Sequence, residues 1–421
     1  MQSFKQYLSA LAFFTCLLGP LIYSASASAL TPEEIEKRKE AKTRIPSPSV
    51  GKKVQKAFEL YGQEDVNGAL ETLLDISSSK SYDKAFLNKF IGNIYATIEG
   101  KSSEAIKFLN LAVQDDALNY KEQGDVLRLL AQLYMMEKQY QNGIDKYQEW
   151  MSFTGEQDAK VYIRIANGYY ELKQLDKVIE PSDKSIALAE KLEVTPYILK
   201  LASYFERKDY KNTVKMGETL VRLFPEEKRY WSQLGMFYVL VEDYKKALST
   251  MEMAYKQGYL DKANEFKTLA QMYSQLEVPH KAAIIQEKYI KLGVMKRNEQ
   301  TTKRLANYWL AAKEMVKAAK YFGEAAAFEN DAKLYRRQGE MLFQADKYAQ
   351  SVTALKKALD IGVDKKGPVT LTLMQAYFYQ GKYKQAYATL LDAEKITSAK
   401  KQAKSWKQYI KDKAKRNGVT L

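Results

Sequence analysis

The sequence is poor in the side chains that usually do chemistry. It has one cysteine, Cys16, and one histidine, His280. Cys16 sits in an N-terminal apolar segment expected to be removed, so the mature chain would hold no thiol. That excludes a disulfide, a thiolate nucleophile and a cysteine-based metal site. His280 follows Pro279 where a helix is expected to begin, and reads as a polar helix-start residue. There is no glycine-rich phosphate loop and no pair of histidines at metal-binding spacing. The acid pair Asp115-Asp116 reads as a turn or a helix cap. No catalytic residue, metal or cofactor is therefore expected, and the chain is not read as an enzyme. Prolines are few, nine in 421 residues, which leaves little room for β-rich or disordered architecture.

What is present begins with an export signal. Lys5 precedes an apolar run from Leu8 to Tyr23, broken by Gly19-Pro20, and Ala27-Ser28-Ala29 fits a small-x-small cleavage site. The run is short of the roughly 20 residues a membrane helix needs. Residues 1–29 are thus expected to be a cleaved signal peptide, with an uncleaved anchor as the alternative. A thiol-free mature chain suits an oxidising compartment, and the expected address is a bacterial periplasm. Residues 30–50 read as a charged leader. Thr31-Pro32-Glu33-Glu34 forms a capping box, a charged helix would run to Arg44, and Pro46-Ser47-Pro48 ends it. With no apolar face, this leader is expected to be a mobile arm.

From residue 51 the chain repeats. A small residue recurs at Gly92, Ala131, Ala166, Ala202, Gly235, Ala270, Ala306 and Gly339, with Met374 last, at intervals of 33 to 39 residues. Around it stand large apolar residues, most fully in Trp231, Leu234, Gly235 and Tyr238, followed by Tyr244, Ala247 and Met251. This resembles the tetratricopeptide repeat, a pair of helices of about 34 residues. The expected fold is all-α, a right-handed α-solenoid of nine to ten such repeats over residues 51–397. A basic capping helix and tail occupy 398–421. One helix pair cannot bury its apolar faces alone, so neighbours must supply the core. Pro181 is expected to kink a second helix, and the interval of 39 before Ala131 implies a longer turn between residues 99 and 122.

Lysine and arginine outnumber the acids by 66 to 51, a net charge of +15, which favours acidic partners. The cap is the densest region, with Lys400, Lys404, Lys407 and Lys411 beside a stripe of Ala399, Ala403, Trp406, Ile410 and Ala414. It is either a solvated cap or a peripheral surface for an acidic partner or anionic lipid headgroups. Nucleic acid is not an expected partner, because the basic residues are spread over every repeat and the chain is exported. Tetratricopeptide arrays hold peptides on the face lined by their first helices. One subset grips a C-terminal carboxylate with Lys and Asn one turn apart, Asn on the next repeat, and Lys and Arg on the third. The matching positions hold Lys89 and Asn93, then Leu129 with Arg128 adjacent, then Lys160 and Arg164. Lys303 and Asn307 repeat the first pair without the rest.

The leader, Arg44-Ile45-Pro46, the stretch Ile91-Gly92-Asn93-Ile94-Tyr95 and Glu104-Ala105-Ile106-Lys107 resemble a narrower group. These are the periplasmic tetratricopeptide proteins associated with TonB systems of marine γ-proteobacteria. The resemblance implies an accessory scaffold beside a TonB–ExbB–ExbD complex that drives outer-membrane uptake of iron-siderophores. The other reading is a scaffold for a different envelope machine, such as outer-membrane assembly, cell-wall synthesis or polysaccharide export.

Overall fold

Ten times in succession the chain runs helix, tight turn, helix. The computed structural model describes residues 30–421, which contain 22 α-helices and no strand. The expected signal segment lies outside the described residues. Two compact units are found, one ending at Leu199 and the other spanning Lys200–Leu421. In the first, α1 (Pro32–Glu40) precedes α2 (Pro48–Gly62) with α3 (Val66–Leu74), and α4 (Ser81–Thr97) with α5 (Ser102–Val113). Next come α6 (Tyr120–Met136) with α7 (Tyr140–Thr154), and α8 (Ala159–Glu171) with α9 (Ile179–Leu188). The unit boundary falls inside α10 (Thr195–Glu206), which α11 (Tyr210–Leu223) follows. The second unit continues with α12 (Lys228–Leu240) and α13 (Tyr244–Lys256), then α14 (Ala263–Gln275) and α15 (Pro279–Lys291). It ends with α16 (Glu299–Ala311) and α17 (Met315–Glu329), α18 (Ala332–Gln344) and α19 (Tyr348–Ile361), α20 (Lys366–Tyr379) and α21 (Tyr383–Glu394), and the cap α22 (Lys400–Arg416).

The recurring small residue is where the two helices of a pair meet. A Cβ placed on Gly92 would stand 2.6 Å from Leu109 Cγ; on Gly235, 2.4 Å from Met251 Cγ; on Gly339, 2.5 Å from Leu355 Cγ. Ala131, Ala166, Ala270 and Ala306 fill the same register and are fully buried. The large partners Leu109, Met251 and Leu355 are fully buried too. Each close pair therefore seats a bulky second-helix side chain over a nearly bare patch of the first helix.

The turn that sets up this contact is also uniform. Eight pairs are joined by three residues, and in a ninth three residues lead from α8 into a 3-10 turn before α9; each time the middle one has positive φ: Glu64, Lys138, Lys173, Lys208, Glu242, Glu277, Lys313, Asp346 and Gly381. The third residue donates its N–H back into the first helix, as Gln139 N does to Tyr134 O at 2.8 Å and Asp243 N to Tyr238 O at 2.9 Å. This is the Schellman arrangement, which usually takes glycine at the left-handed position. Here only Gly381 is one, so packing of the helices on either side holds the strained residues in place. The exception is the α4–α5 turn, four residues long with Gly100 at positive φ. With the six-residue 114–119 connection it accounts for the interval of 39.

Two expectations change. The leader is not a mobile arm. Its helix stops at Glu40 rather than Arg44, Ile35 is buried, and Arg38 pairs with Asp116 at 2.7 Å. Pro181 does not kink a continuous helix. The segment starts as a 3-10 turn, Leu175–Val178, and Pro181 is the third residue of the regular helix α9. Lacking an N–H, proline is tolerated in a first turn. At the other end, Ala399, Ala403, Ile410 and Ala414 are fully buried against α20 and α21, so the cap's expected stripe is its packing face.

Gly339→Ala should destabilise the second unit by about 1–3 kcal/mol, because Leu355 must shift. Gly62→Ala, with open space around it, should be close to neutral. Urea unfolding of both variants checks this. Lys313→Gly, at φ 63°, should raise stability by about 0.5–1 kcal/mol in the same assay.

Candidate partner-binding surface

In the first unit, two of the four basic residues singled out from sequence, Lys89 and Arg128, are tied to acids at the start of the following first helix. Lys89 Nζ on α4 bonds Glu122 on α6, and its ammonium lies over Phe86 at 4.9 Å and Phe90 at 4.6 Å. The other Glu122 oxygen accepts from Tyr82 Oη at 3.2 Å and Asn119 Nδ2 at 2.8 Å. Burial alone would raise Glu122, but the Lys89 hydrogen bond and charge outweigh it and hold the carboxyl below its ordinary range. Burial, then the Glu122 charge, pushes Tyr82 up to about 12. Arg128 on α6 likewise reaches Asp158 at 2.6 Å, with its guanidinium over Trp150 at 5.0 Å. Asp158 in turn caps α8 through the N–H groups of Lys160 and Val161.

Arg164 donates to the hydroxyl of the buried Tyr147 at 2.8 Å. Lys160 is exposed and Asn93 half-buried. No hydrogen bond or ion pair among the described residues joins Lys160 or Arg164 to Lys89 or Asn93. Lys89 and Arg128 are thus not bare cations but ties between successive repeats. Lys160, Arg164 and Asn93 are what this face offers to a partner.

In the second unit the same register is less compensated. Lys303 and Asn307 on α16 are followed one period later by Arg336 and Arg337 on α18. Arg337 Nη1 donates to Asn307 Oδ1 at 3.1 Å, and its guanidinium lies 4.4 Å from the Phe322 ring centre. Arg336 pairs with Glu340 at 3.1 Å, and Lys303 with Glu299 at 3.4 Å. Two guanidinium nitrogens, Arg304 Nη1 and Arg336 Nε, are buried with no hydrogen-bond partner. Burial lowers the Arg337 pKa; the Glu340 charge opposes this and the Arg336 charge adds to it. An unsatisfied buried donor costs about 1–3 kcal/mol, a cost the surrounding packing must offset. Sequence reasoning passed over Arg304, Arg336 and Arg337 because it took Lys303 and Asn307 as an isolated recurrence. The available signal was the Arg-Arg pair one repeat later.

On the cap, Lys400, Lys404 and Lys411 are exposed, while Lys407 is paired with Glu394 at 3.0 Å. His280 packs edge-on against Trp309 at 5.3 Å. Among the described residues no group of three His, Cys, Asp or Glu side chains is placed to hold a metal ion.

Several solved structures are similar to this chain. A tetratricopeptide repeat protein from Parabacteroides merdae is 17% identical, over 62% of this chain and 99% of its own, with a TM-score of 0.33. The C-terminal part of a TPR repeat-containing protein from Cytophaga hutchinsonii is 16% identical over 62% and 98%, with a TM-score of 0.39. The Naa15/Naa10 complex bound to HypK-THB is 12% identical over 88% and 66%, with a TM-score of 0.43. No protein-family model matches the chain, and no curated protein does. The repeated helix pairs, the small-residue register and the uniform turns make the fold an all-α solenoid of tetratricopeptide repeats.

Glu122→Ala should lower the stability of the first unit by about 2–3 kcal/mol, because it leaves Lys89, only 12% exposed, without its counter-charge. Lys160→Ala should change it by less than about 0.5 kcal/mol. Urea midpoints of the two variants separate a structural tie from a free surface cation.

Proposed function

We propose that the protein is a non-enzymatic scaffold that holds an acidic segment of a partner protein on the first-helix face of α16 and α18. The observation behind this is the concentration of half-buried cations on α16 and α18, where Lys303, Arg304, Arg336 and Arg337 stand with Asn307 against the acids Glu299 and Glu340. Carboxylates supply the planar acceptors such donors bind best. Lys160 and Arg164, with Asn93, form a second and thinner basic face in the first unit.

The apolar N-terminal run and the Ala27-Ser28-Ala29 site support a periplasmic address. The resemblance of residues 91–95 and 104–107 to TonB-associated repeat proteins supports an accessory role beside TonB, ExbB and ExbD in iron-siderophore uptake. The second reading, a scaffold for another envelope machine, has the same periplasmic address and the same kind of partner surface.

A photoreactive residue at Asn307, and separately at Asn93, cross-linked in living cells and analysed by mass spectrometry, tests both levels. Capture of TonB, ExbB or ExbD is the expected result. Capture of an assembly or cell-wall factor instead sinks the TonB role but keeps the scaffold. Arg304→Glu with Arg336→Glu should reduce capture at Asn307 at least tenfold. If Lys160→Glu with Arg164→Glu has the larger effect, the partner sits on the first unit.

A further inference from the structure

The leader is held in a way that packing alone does not require. After α1 the chain is extended, with Ala41 at φ −58°, ψ 139° and Ser47 at φ −56°, ψ 148°. Asn119, the N-cap of α6, takes both backbone groups of Arg44. Its Oδ1 accepts from Arg44 N at 2.8 Å, and its Nδ2 donates to Arg44 O at 3.0 Å. One side-chain amide thus does for a single residue what a neighbouring strand would do. Arg44 Nη1 donates to Ala117 O at 2.8 Å. Three residues on, Ser47 N and Oγ both donate to Asp83, at 2.9 and 2.6 Å. Asp83 is buried at the start of α4, 1% exposed, and also accepts from Ser78.

These contacts read a backbone, an arginine and a serine, and they bury almost nothing apolar. Residues 41–45 are all exposed, and Ile45 is 80% exposed. Ahead of α2, the leader's only buried apolar residue is Ile35, beside Gly155. Arg38, paired with Asp116 and lying over Phe153 at 5.1 Å, adds an exposed contact. Ahead of α2 the leader is therefore held by a few specific contacts, and Ser47 joins it directly to that helix, whose Val50 is 2% exposed. A recess of about 630 Å³ lies alongside, lined by Lys42, Arg44, Asn119 and Glu122.

We propose that the N-terminal ends of α4 and α6 form a recognition site for an extended Arg-x-Pro-Ser segment, occupied in cis by the chain's own leader. The occupant in trans is a basic, proline-containing segment of a partner protein. Asn119 holds its main chain, Ala117 O takes its arginine, and Asp83 takes its serine. Asp83, Asp116 and Glu122 supply the complementary charge. This site is separate from the arginine face of α16 and α18 and does not depend on it.

The test uses the full mature chain and a labelled peptide of residues 41–49, with binding read by fluorescence anisotropy. In the wild type the tethered leader competes at an effective concentration near millimolar, so peptide binding should be weak. Arg44→Pro with Ser47→Ala in the chain removes the leader's own grip while leaving Asn119, Ala117 and Asp83 in place, and should tighten peptide binding at least tenfold. Adding Asn119→Ser keeps a helix cap but loses the two-point grip, and should remove that gain. A peptide with Arg44→Glu should not bind. Failure of the loosened chain to bind, or binding indifferent to Asn119→Ser, overturns the proposal. Should circular dichroism show the loosened variant misfolded, hydrogen exchange on the wild type decides. Saturating peptide should then speed exchange of residues 32–46, and unchanged exchange counts against the site. A leader-dependent dimer in sizing runs would name a second copy as occupant and overturn the partner-protein assignment.

Discussion

Everything in this protein depends on how closely two helices can lie. Where the first helix offers Gly92, Gly235 or Gly339, the side chains of Leu109, Met251 and Leu355 settle almost onto its backbone. Where it offers alanine, one methyl is all the spacing allows. That approach buries the inner faces of a pair, but each pair still has apolar surface to its sides. Leu127, Leu130 and Tyr147 or Leu269, Leu305 and Phe322 become fully buried only because another pair follows. The solenoid is a consequence of that remainder. The helix α22 meets the same need beside α20 and α21, where Ala403 and Ile410, with Ala399 just before it, cover the apolar face of that pair.

The turn belongs to the same constraint. A three-residue link leaves the second helix no choice of entry, and it places Lys138, Lys208, Glu242 or Lys313 in the left-handed region. Each such residue is mildly unfavourable by itself. The returning hydrogen bond and the close helix contact together exceed that cost, so lysine and glutamate persist where glycine would be easier. Local strain is tolerated because the packing on either side determines the geometry.

This is why the fold was legible and much of the surface was not. A position that must lack a side chain leaves the same mark every repeat, and alignment on Gly92, Ala131 and Ala166 found it. The leader left no such mark. Its one anchor is a single isoleucine, and its remaining partners, Asp83 and Asn119, lie 36 and 75 residues away. Periodicity cannot show a contact that occurs once. Lys89 and Arg128 stand on first helices, yet their partners Glu122 and Asp158 follow at 33 and 30 residues, a spacing that hides them among ordinary helix-start acids. Pro181 signalled an irregular second helix, but not that the irregularity would be a 3-10 entry.

The two units use positive charge differently, and the difference bears on function. In the first, Lys89 and Arg128 are matched by acids of the next repeat, which fixes register and leaves little for a partner. In the second, Arg304 and Arg336 keep buried donors unmatched, although Glu340 and Glu299 stand nearby. A solvated lysine attracts any anion weakly, and salt screens it. A desolvated guanidinium N–H demands an acceptor at a defined place, so it discriminates among anions more than it attracts them. The net charge of +15 therefore says little about specificity.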